Sequence, residues 1–360
     1  MNERDNSVDI LRGLAIFTMI AANMAAHSLV EPHSFAFRIY GSLAAPMFVF
    51  LAGMMVSYTA TIKAHKAAYY FKRAGATLLV AALIDLFLWD VFPFVTYDVL
   101  YIIAVGMPVI FYFNKLSRVV QIAFIVIIFA VTPVLQYYFG YTDYPLEVVV
   151  SEMNSFSEVQ AIPVWRHFLF EGWFPVFPWL GVSLLGAFIG SFKFKTEVEI
   201  FNKNLILTGS LMMITGIIMW AIIYPEMTTN EGFIGTPESP TFYGFLITRI
   251  GYSELFYPPT LFYLFTFLGF IILLIPLVYK IKKNPVLNLL TVYGRSSMLV
   301  YIMHTVFIAF IFNRMPTYTF WPFVGLYLIH AIVLWLICFG IQKFKKGKQF
   351  PFMVNFILGG

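Results

Sequence analysis

The sequence predicts an all-α integral membrane bundle of about ten transmembrane helices, and three observations support this. Of the 360 residues, 60% are hydrophobic and only 11% are charged, whereas about a quarter of a soluble domain is charged. Apolar runs of about 20 residues, long enough to cross a bilayer as helices, recur along the chain. The lysines fall in connections that share one side if the spans alternate.

The chain is predicted as a single transmembrane domain over residues 1–360. The ten predicted spans are Val8–Leu29, Ser42–Ile62, Ala74–Phe94, Tyr97–Asn114, Val119–Phe139, Phe174–Phe192, Leu205–Tyr224, Pro258–Tyr279, Leu287–Phe312 and Pro322–Ile341. Two polar stretches, Gly140–Gly172 and Pro225–Phe256, are too long for tight connections. We expect them to carry function or partial structure.

The charges predict that both termini face the cytoplasm. Lysine-rich connections such as Lys63–Arg73, Lys280–Lys283 and Lys343–Lys348 lie on one side of the alternating spans, which the positive-inside rule makes cytoplasmic. The opposite side has no lysine and four arginines, Arg38, Arg166, Arg249 and Arg314. The expected location is therefore the lipid bilayer of a prokaryotic cytoplasmic membrane. The net charge of +5 reflects topology or a polyanionic cytosolic ligand, with no nucleic acid as partner.

The first two predicted spans organise the rest of the chain, because their short connection carries His27 and His33. Asn23 lies near the end of the first span and shares a helix face with His27, four residues later. Pro32 and Pro46 limit the freedom of the connection. A histidine can take a proton from an attacking amine or hydroxyl. Both histidines are candidate bases, and each could also be an ordinary loop or interfacial residue.

Other polar residues interrupt later apolar runs. Asp85 lies inside LLVAALIDLFLW, where an ionised carboxylate costs about 2.5–3.5 kcal/mol, so it is a functional candidate or a structural hydrogen-bonding group. Pro175 and Pro178 precede Trp179 and predict an irregular start to that helix. The glycines that follow in FPVFPWLGVSLLGAFIG predict close helix packing. They are Gly181, Gly186 and Gly190.

The segment YGRSSMLVYIMH places Ser297, Tyr301 and His304 along one helix face, which indicates a face turned to protein or water. Arg295 at its start and Arg12 near the start of the first predicted span are candidates for phosphate contact. Arg12 can also pair with Asp9.

Arg166 and His167, with Glu171, stand in a predicted outer connection and could meet a polar substrate. We find no zinc motif, Walker sequence, dinucleotide fingerprint or nucleophile elbow, and predict no metal.

SVDILRGLAIFTMIAAN followed by APMFVFLAGM resembles the heparan-α-glucosaminide N-acetyltransferase family within the wider transmembrane acyltransferase group, and FPVFPWLG and YGRSSMLVYIMH resemble later motifs of that group. The resemblance implies transfer of an acyl group, usually acetyl, from cytosolic acyl-CoA to an amine or hydroxyl of a sugar or glycoconjugate on the far side. It implies that His33, between Asn23 and Pro46, is the active histidine. Where some members carry an acidic residue four positions before the proline, this chain has Ser42.

The residues assigned on this basis form three groups. The catalytic group is His33, Asn23 and His27. The acetyl-CoA-binding group is Arg12, Arg73, Arg295, Trp179, Ser297, Tyr301 and His304. The acceptor-binding group is Arg38, Ser42, Asp85, Arg166 and His167. The acceptor, the acyl chain length, an acyl-histidine intermediate and a homodimer are left open.

The alternative function is a proton-coupled secondary transporter of a small polar solute, with Asp85 and a histidine as proton relay. Transporters often contain internal repeats with paired interrupted helices, and we find no such repeat. Counterflow in liposomes without acyl-CoA would favour the transporter. A non-catalytic membrane scaffold does not account for Asn23, the two histidines and Asp85.

Overall fold

The fold is taken from a computed structural model that describes residues 6–31, 33–139, 147–153, 155, 164–193, 198–227 and 259–359. The helices, in chain order, are α1 (Asn6–Ser28), α2 (Phe35–Ser42), α3 (Ala44–Thr61), α4 (Ala67–Ile84), α5 (Val99–Phe113), α6 (Arg118–Phe139), α7 (Val176–Lys193), α8 (Val198–Met227), α9 (Leu261–Ile281), α10 (Pro285–Arg295), α11 (Ser297–Phe310), α12 (Phe320–Lys345) and α13 (Phe352–Ile357). Short helical turns cover Asp85–Trp89, Val150–Glu152, Val164–Arg166, His167–Glu171 and Phe312–Arg314. Pro32, Arg249 and most of the predicted stretch Pro225–Phe256 lie outside the described residues.

The all-α prediction is confirmed over the described residues, which contain helices and two isolated β-bridges but no strand. Among the described residues, seven helical segments are long and apolar enough to cross a membrane. One of them, Ala36–Thr61, joins α2 and α3, and another, Ser297–Arg314, extends α11 through the turn that follows it. An eighth span results if Val164–Glu171 and Val176–Phe192, bent by 50° at their junction, cross together. About ten spans and a cytoplasmic location for both termini stay predictions.

Two compact units divide the chain. The first unit is Met1–Phe48 with Leu274–Gly360, and the second is Val49–Leu273. All three residues of the predicted catalytic group belong to the first unit. The single catalytic domain over residues 1–360 stays a prediction.

In the first unit, α1 and α10 pack with their backbones in contact. A Cβ atom at Gly13 would overlap the carbonyl oxygen of Leu290, and a Cβ atom at Gly294 would overlap that of Asp9. Only glycine allows this approach. Because the paired residues run in opposite order, α10 is antiparallel to α1 where they touch.

The predicted span Leu287–Phe312 is wrong as a single helix, because the chain breaks at Ser296, whose φ is −116° and ψ is 27°. The side-chain amide of Gln342 stabilises the break by donating to the carbonyl of Val292 at 2.7 Å and to the hydroxyl of Ser296 at 2.8 Å. A carbonyl released at a helix end needs such a partner in an apolar environment. After the break, α11 runs in the same direction as α1.

In the second unit, glycines of α7 pack against α3 as the sequence predicted. A Cβ atom at Gly186 would overlap the carbonyl oxygen of Phe50, and one at Gly190 would lie 3.0 Å from Met54 Cα. Gly181 faces Ile128 and Phe129. The predicted irregular start is also confirmed, because Phe177 has non-helical φ and ψ of −95° and 114°.

The connection between α4 and α5 pairs with later segments of the second unit. The amide of Phe92 donates to the carbonyl of Val148 at 2.8 Å, and the amide of Val150 donates to that of Asp90 at 2.8 Å. The backbone amide of Trp173 donates to the carbonyl of Thr96, and that of Phe174 donates to the carbonyl of Tyr97. Part of the long stretch Gly140–Gly172 is therefore structured, as expected.

The packing of α1 on α10 predicts that Gly13→Ala lowers the midpoint of thermal unfolding. The added methyl meets backbone, which cannot move aside as a flexible side chain can, and overpacking costs about 1–3 kcal/mol. Gly325→Ala is the matched control, because it lies in α12 of the same unit with nothing within 4 Å of the new Cβ atom. Equal midpoints for the two purified variants would contradict the packing described.

Candidate active site

The first turns of α1 carry a charged cluster around a buried carboxylate. Asp9, only 3% exposed, accepts a hydrogen bond from Arg295 Nε at 3.3 Å, and its other oxygen lies 3.9 Å from Arg12 Nη1. Arg12 also donates to the hydroxyl of Ser297, and Arg295 Nη2 donates to Asn6 Oδ1 at 3.1 Å. Among the described residues, two guanidinium groups thus share one carboxylate.

The reversal of the chain at Ser296 builds this cluster. Because α10 is antiparallel to α1, its last residue, Arg295, reaches Asp9. Because α11 starts immediately after the break, Ser297 meets Arg12 one turn further along α1. The structure therefore brings together Arg12, Arg295 and Ser297, three of the residues predicted to contact acetyl-CoA.

A second polar contact lies further along α1, where Asn23 Nδ2 and His304 Nε2 are 2.9 Å apart. The ring of His304 is fully buried, and its Nδ1 lies 3.1 Å from the carbonyl oxygen of Val300. Asn23 itself is exposed. The ring of Tyr301 packs 5.4 Å from that of His304, centroid to centroid. Asn23, predicted as catalytic, thus contacts His304, which was predicted to bind the cofactor.

Two buried polar residues of α12 in the same unit were not predicted from the sequence. His330 on α12 is 3% exposed, packs against Phe307 and Phe312, and has a buried Nε2 with no hydrogen-bond partner among the described residues. Tyr327 donates to the carbonyl of Phe17 at 2.9 Å and lies 3.1 Å from the hydroxyl of Tyr40. The rule that selected Asp85, a polar residue in an apolar run, applies equally to His330 in LYLIHAIVL.

His33 lies in the connection between α1 and α2. It is half-buried, its Nε2 is 3.4 Å from the carbonyl oxygen of Leu29, and its ring meets the edge of Phe37 at 6.1 Å. No hydrogen bond joins it to Asn23 among the described contacts. His27 is half-buried in the last turn of α1.

Arg38 and Ser42, predicted to bind the acceptor, both belong to α2. Arg38 is half-buried and Ser42 is 4% exposed. They follow His33 along the chain in the same unit.

The remaining predicted residues belong to the second unit. Asp85 is 3% exposed and accepts a hydrogen bond from the hydroxyl of Tyr101 at 2.5 Å. Arg166 pairs with Glu171, and His167 is 1% exposed with no partner for Nδ1 among the described residues. Trp179 is fully buried against Phe174. The side chain of Arg73 lies over the ring of Tyr69, 5.6 Å from its centroid.

In a comparison with known protein families, residues 4–225 match the family model described as "Heparan-alpha-glucosaminide N-acetyltransferase, catalytic". The chain belongs to this family. The match covers more than half of the chain, including α1, the His33 connection and the short helical turns Asp85–Trp89 and His167–Glu171 of the second unit. No curated protein matches the chain.

Membership of the heparan-α-glucosaminide N-acetyltransferase family confirms the resemblance found in the sequence and makes this chain an integral membrane protein of an acetyltransferase family. Members of the family in general take the acetyl group from acetyl-CoA. Over the described residues, no group of three or more His, Cys, Asp or Glu side chains could hold a metal ion. The matched range ends before α10 and α11, so the family match does not cover Arg295 and His304, which were predicted from the sequence and which the structure brings to Asp9 and Asn23.

The sharing of one carboxylate by two arginines predicts that Asp9→Asn lowers the midpoint of thermal unfolding. Loss of the negative charge leaves two guanidinium groups facing each other, and a lost hydrogen bond to a charged group costs about 1.5–3 kcal/mol. Glu31→Gln, at an exposed position of the same unit, is the control and should unfold as the wild type does. If Asp9→Asn is as stable as this control, the cluster does not hold α1 and α10 together.

Proposed function

We propose that this protein transfers an acyl group, acetyl by family membership, from cytosolic acyl-CoA to an amine or hydroxyl of a sugar or glycoconjugate on the outer face of the membrane. The observation that carries the proposal is the series of polar groups along α1 and the connection that follows it. It begins at the Asp9 cluster, continues to Asn23 with His304, and ends at His33. Such groups are rare inside membrane helices and mark substrate paths or proton relays.

The charged cluster is proposed to hold the phosphates of coenzyme A. Arginine forms paired hydrogen bonds to phosphate, and the cluster contains two arginines. The side chains of Arg12 and Arg295 are 28% and 38% exposed, so both retain accessible surface. Lys343–Lys348 follows Gln342, which bonds to Ser296 next to the cluster, and adds positive charge of the kind expected at a cytoplasmic face.

The distance between the two polar sites fits an extended donor. Arg12 and Asn23 are separated by about 17 Å along α1, from the rise of 1.5 Å per residue. Ser297, Tyr301 and His304 follow the same direction on α11. A pantetheine arm lying beside α1 and α11 would carry its thioester from the arginines towards Asn23. From Asn23, about 8 Å of α1 remain before its end at Ser28.

We propose His33 as the general base. A carbonyl oxygen can only accept a hydrogen bond, so the contact with Leu29 places the proton of the neutral ring on Nε2. The lone pair on Nδ1 is then available to the acceptor. The acceptor nitrogen or oxygen attacks the thioester carbonyl carbon, the carbon–sulfur bond breaks, and His33 passes the acceptor's proton to the departing thiolate. An acyl-histidine intermediate would use the same nitrogen.

The acceptor is proposed to approach from the outer side, where α2 places Arg38 and Ser42 after His33. Acidic residues such as Glu147 are concentrated in the predicted outer connections. They favour an amine or a neutral sugar over a polysulfate. Within the second unit, Asp85, Arg166 and His167 stay proposed acceptor contacts, while Arg73 and Trp179 stay proposed contacts of the donor. The protein is proposed to act in a prokaryotic cytoplasmic membrane with both termini in the cytoplasm.

The proposed base predicts that His33→Ala reduces acetyl transfer by about 10²–10⁴-fold, the usual contribution of a positioned base. The assay uses purified protein, labelled acetyl-CoA and glucosamine as the acceptor probe. Coenzyme A should still raise the midpoint of thermal unfolding, because donor binding does not involve His33. His65→Ala is the control and should keep full transfer, since His65 follows α3 at the predicted cytoplasmic side, where its ring stacks on Tyr69 at 4.1 Å. Full transfer by His33→Ala would rule out this assignment.

A further inference from the structure

The hydrogen bonds of His304 determine which atom of Asn23 is left for a ligand. The carbonyl of Val300 can only accept, so Nδ1 of His304 carries the proton. Nε2 of the neutral ring then has a lone pair and accepts from Nδ2 of Asn23. The Asn23 amide is fixed in one of its two orientations as a result. Its Oδ1 points away from the histidine and has no hydrogen-bond partner among the described residues.

An amide oxygen in this position needs a polar partner. Asn23 is exposed, although it lies five residues before the end of a membrane-spanning helix. Lipid offers no hydrogen-bond donor, and a polar group without a partner in an apolar medium is unfavourable by a few kcal/mol. The exposed side of Asn23 therefore faces water or a ligand, while its other side is fixed by a fully buried ring.

We propose that His304 is a positioning residue that holds Asn23 Oδ1 ready to accept a hydrogen bond from the N–H or O–H of the acceptor. This rests on the proposed acyl transfer and gives His304 a role in acceptor binding in place of a cofactor contact. The hydrogen bond to Asn23 orients the acceptor so that the lone pair of the attacking atom points at the thioester carbon. An attacking amine donates one N–H to Asn23 and loses another proton to His33, whereas an attacking hydroxyl gives its single proton to His33 and a neighbouring sugar hydroxyl donates to Asn23. The ligand class is a hydrogen-bond donor, such as an amino sugar or a sugar hydroxyl.

The structure distinguishes this role from that of a general base. Nδ1 of His304 is bound to Val300 and Nε2 to Asn23, so neither nitrogen has a free lone pair for a substrate proton. A glutamine at this position can replace Nε2, because its Oε1 accepts from the Asn23 amide. A leucine fills a comparable volume but cannot accept. The pair His304→Gln and His304→Leu therefore separates hydrogen bonding from packing.

The test measures acetyl transfer to glucosamine by purified wild type, His304→Gln and His304→Leu, with KM determined separately for acetyl-CoA and glucosamine. We expect His304→Leu to raise the glucosamine KM about tenfold, the effect of 1.4 kcal/mol, with little change in the acetyl-CoA KM. We expect His304→Gln to recover most of the loss and to keep the pH profile of the wild type. An unchanged glucosamine KM in His304→Leu overturns the proposal. Equally reduced activity of both variants, with loss of a limb of the pH profile in the activity that remains, also overturns it and identifies His304 as a base.

A second measurement does not depend on activity. Nitrogen-15 NMR of histidine-labelled protein in lipid should show a neutral ring protonated at Nδ1 and hydrogen-bonded at Nε2. That signal should be absent in His304→Gln and shifted in Asn23→Ala. A ring protonated at Nε2 overturns the inference even if the enzyme is active. If the wild type shows the expected ring but transfers no acetyl group, the proposed function fails, and the role of His304 in acceptor binding fails with it.

Discussion

The backbone contact between α1 and α10 is the constraint on which the first unit depends. Gly13 and Gly294 lack the Cβ atoms that would keep the two helices apart. Because the helices touch in antiparallel order, Arg295 at the end of α10 arrives beside Asp9. The break at Ser296 then returns the chain along α1 as α11. Close packing, charge pairing and the position of His304 are thus consequences of one helix contact.

The same arrangement separates the tasks that acyl transfer requires. The positive cluster lies in the first turns of α1, where Arg12 and Arg295 outnumber Asp9. The amide and imidazole groups lie towards its other end, where Asn23 meets His304 and His33 follows. A polyanionic donor and a polar acceptor could therefore occupy opposite ends of one helix, with only the acyl group passing between them.

The sequence predicted the helical class, the close approach of α7 at Gly186 and the irregular start near Phe177, because each depends on local chemistry. It also placed Ser297, Tyr301 and His304 on one face of a helix. It did not predict the break at Ser296, since the stabilising side chain is Gln342, 46 residues away. Nor could it pair Asn23 with His304, because that contact spans 281 residues and depends on the reversal after α10. His330 was missed although its apolar surroundings could have identified it.

Transfer across the bilayer is the central claim, and a sealed-vesicle assay tests it most directly. Purified wild-type protein is reconstituted in sealed liposomes with labelled acetyl-CoA in one compartment and glucosamine in the other. We expect labelled N-acetylglucosamine in the glucosamine compartment, made by the protein molecules whose lysine-rich side faces the acetyl-CoA. Product that forms only when both compounds share a compartment would contradict transfer across the bilayer. So would a labelled acetyl group that stays on coenzyme A.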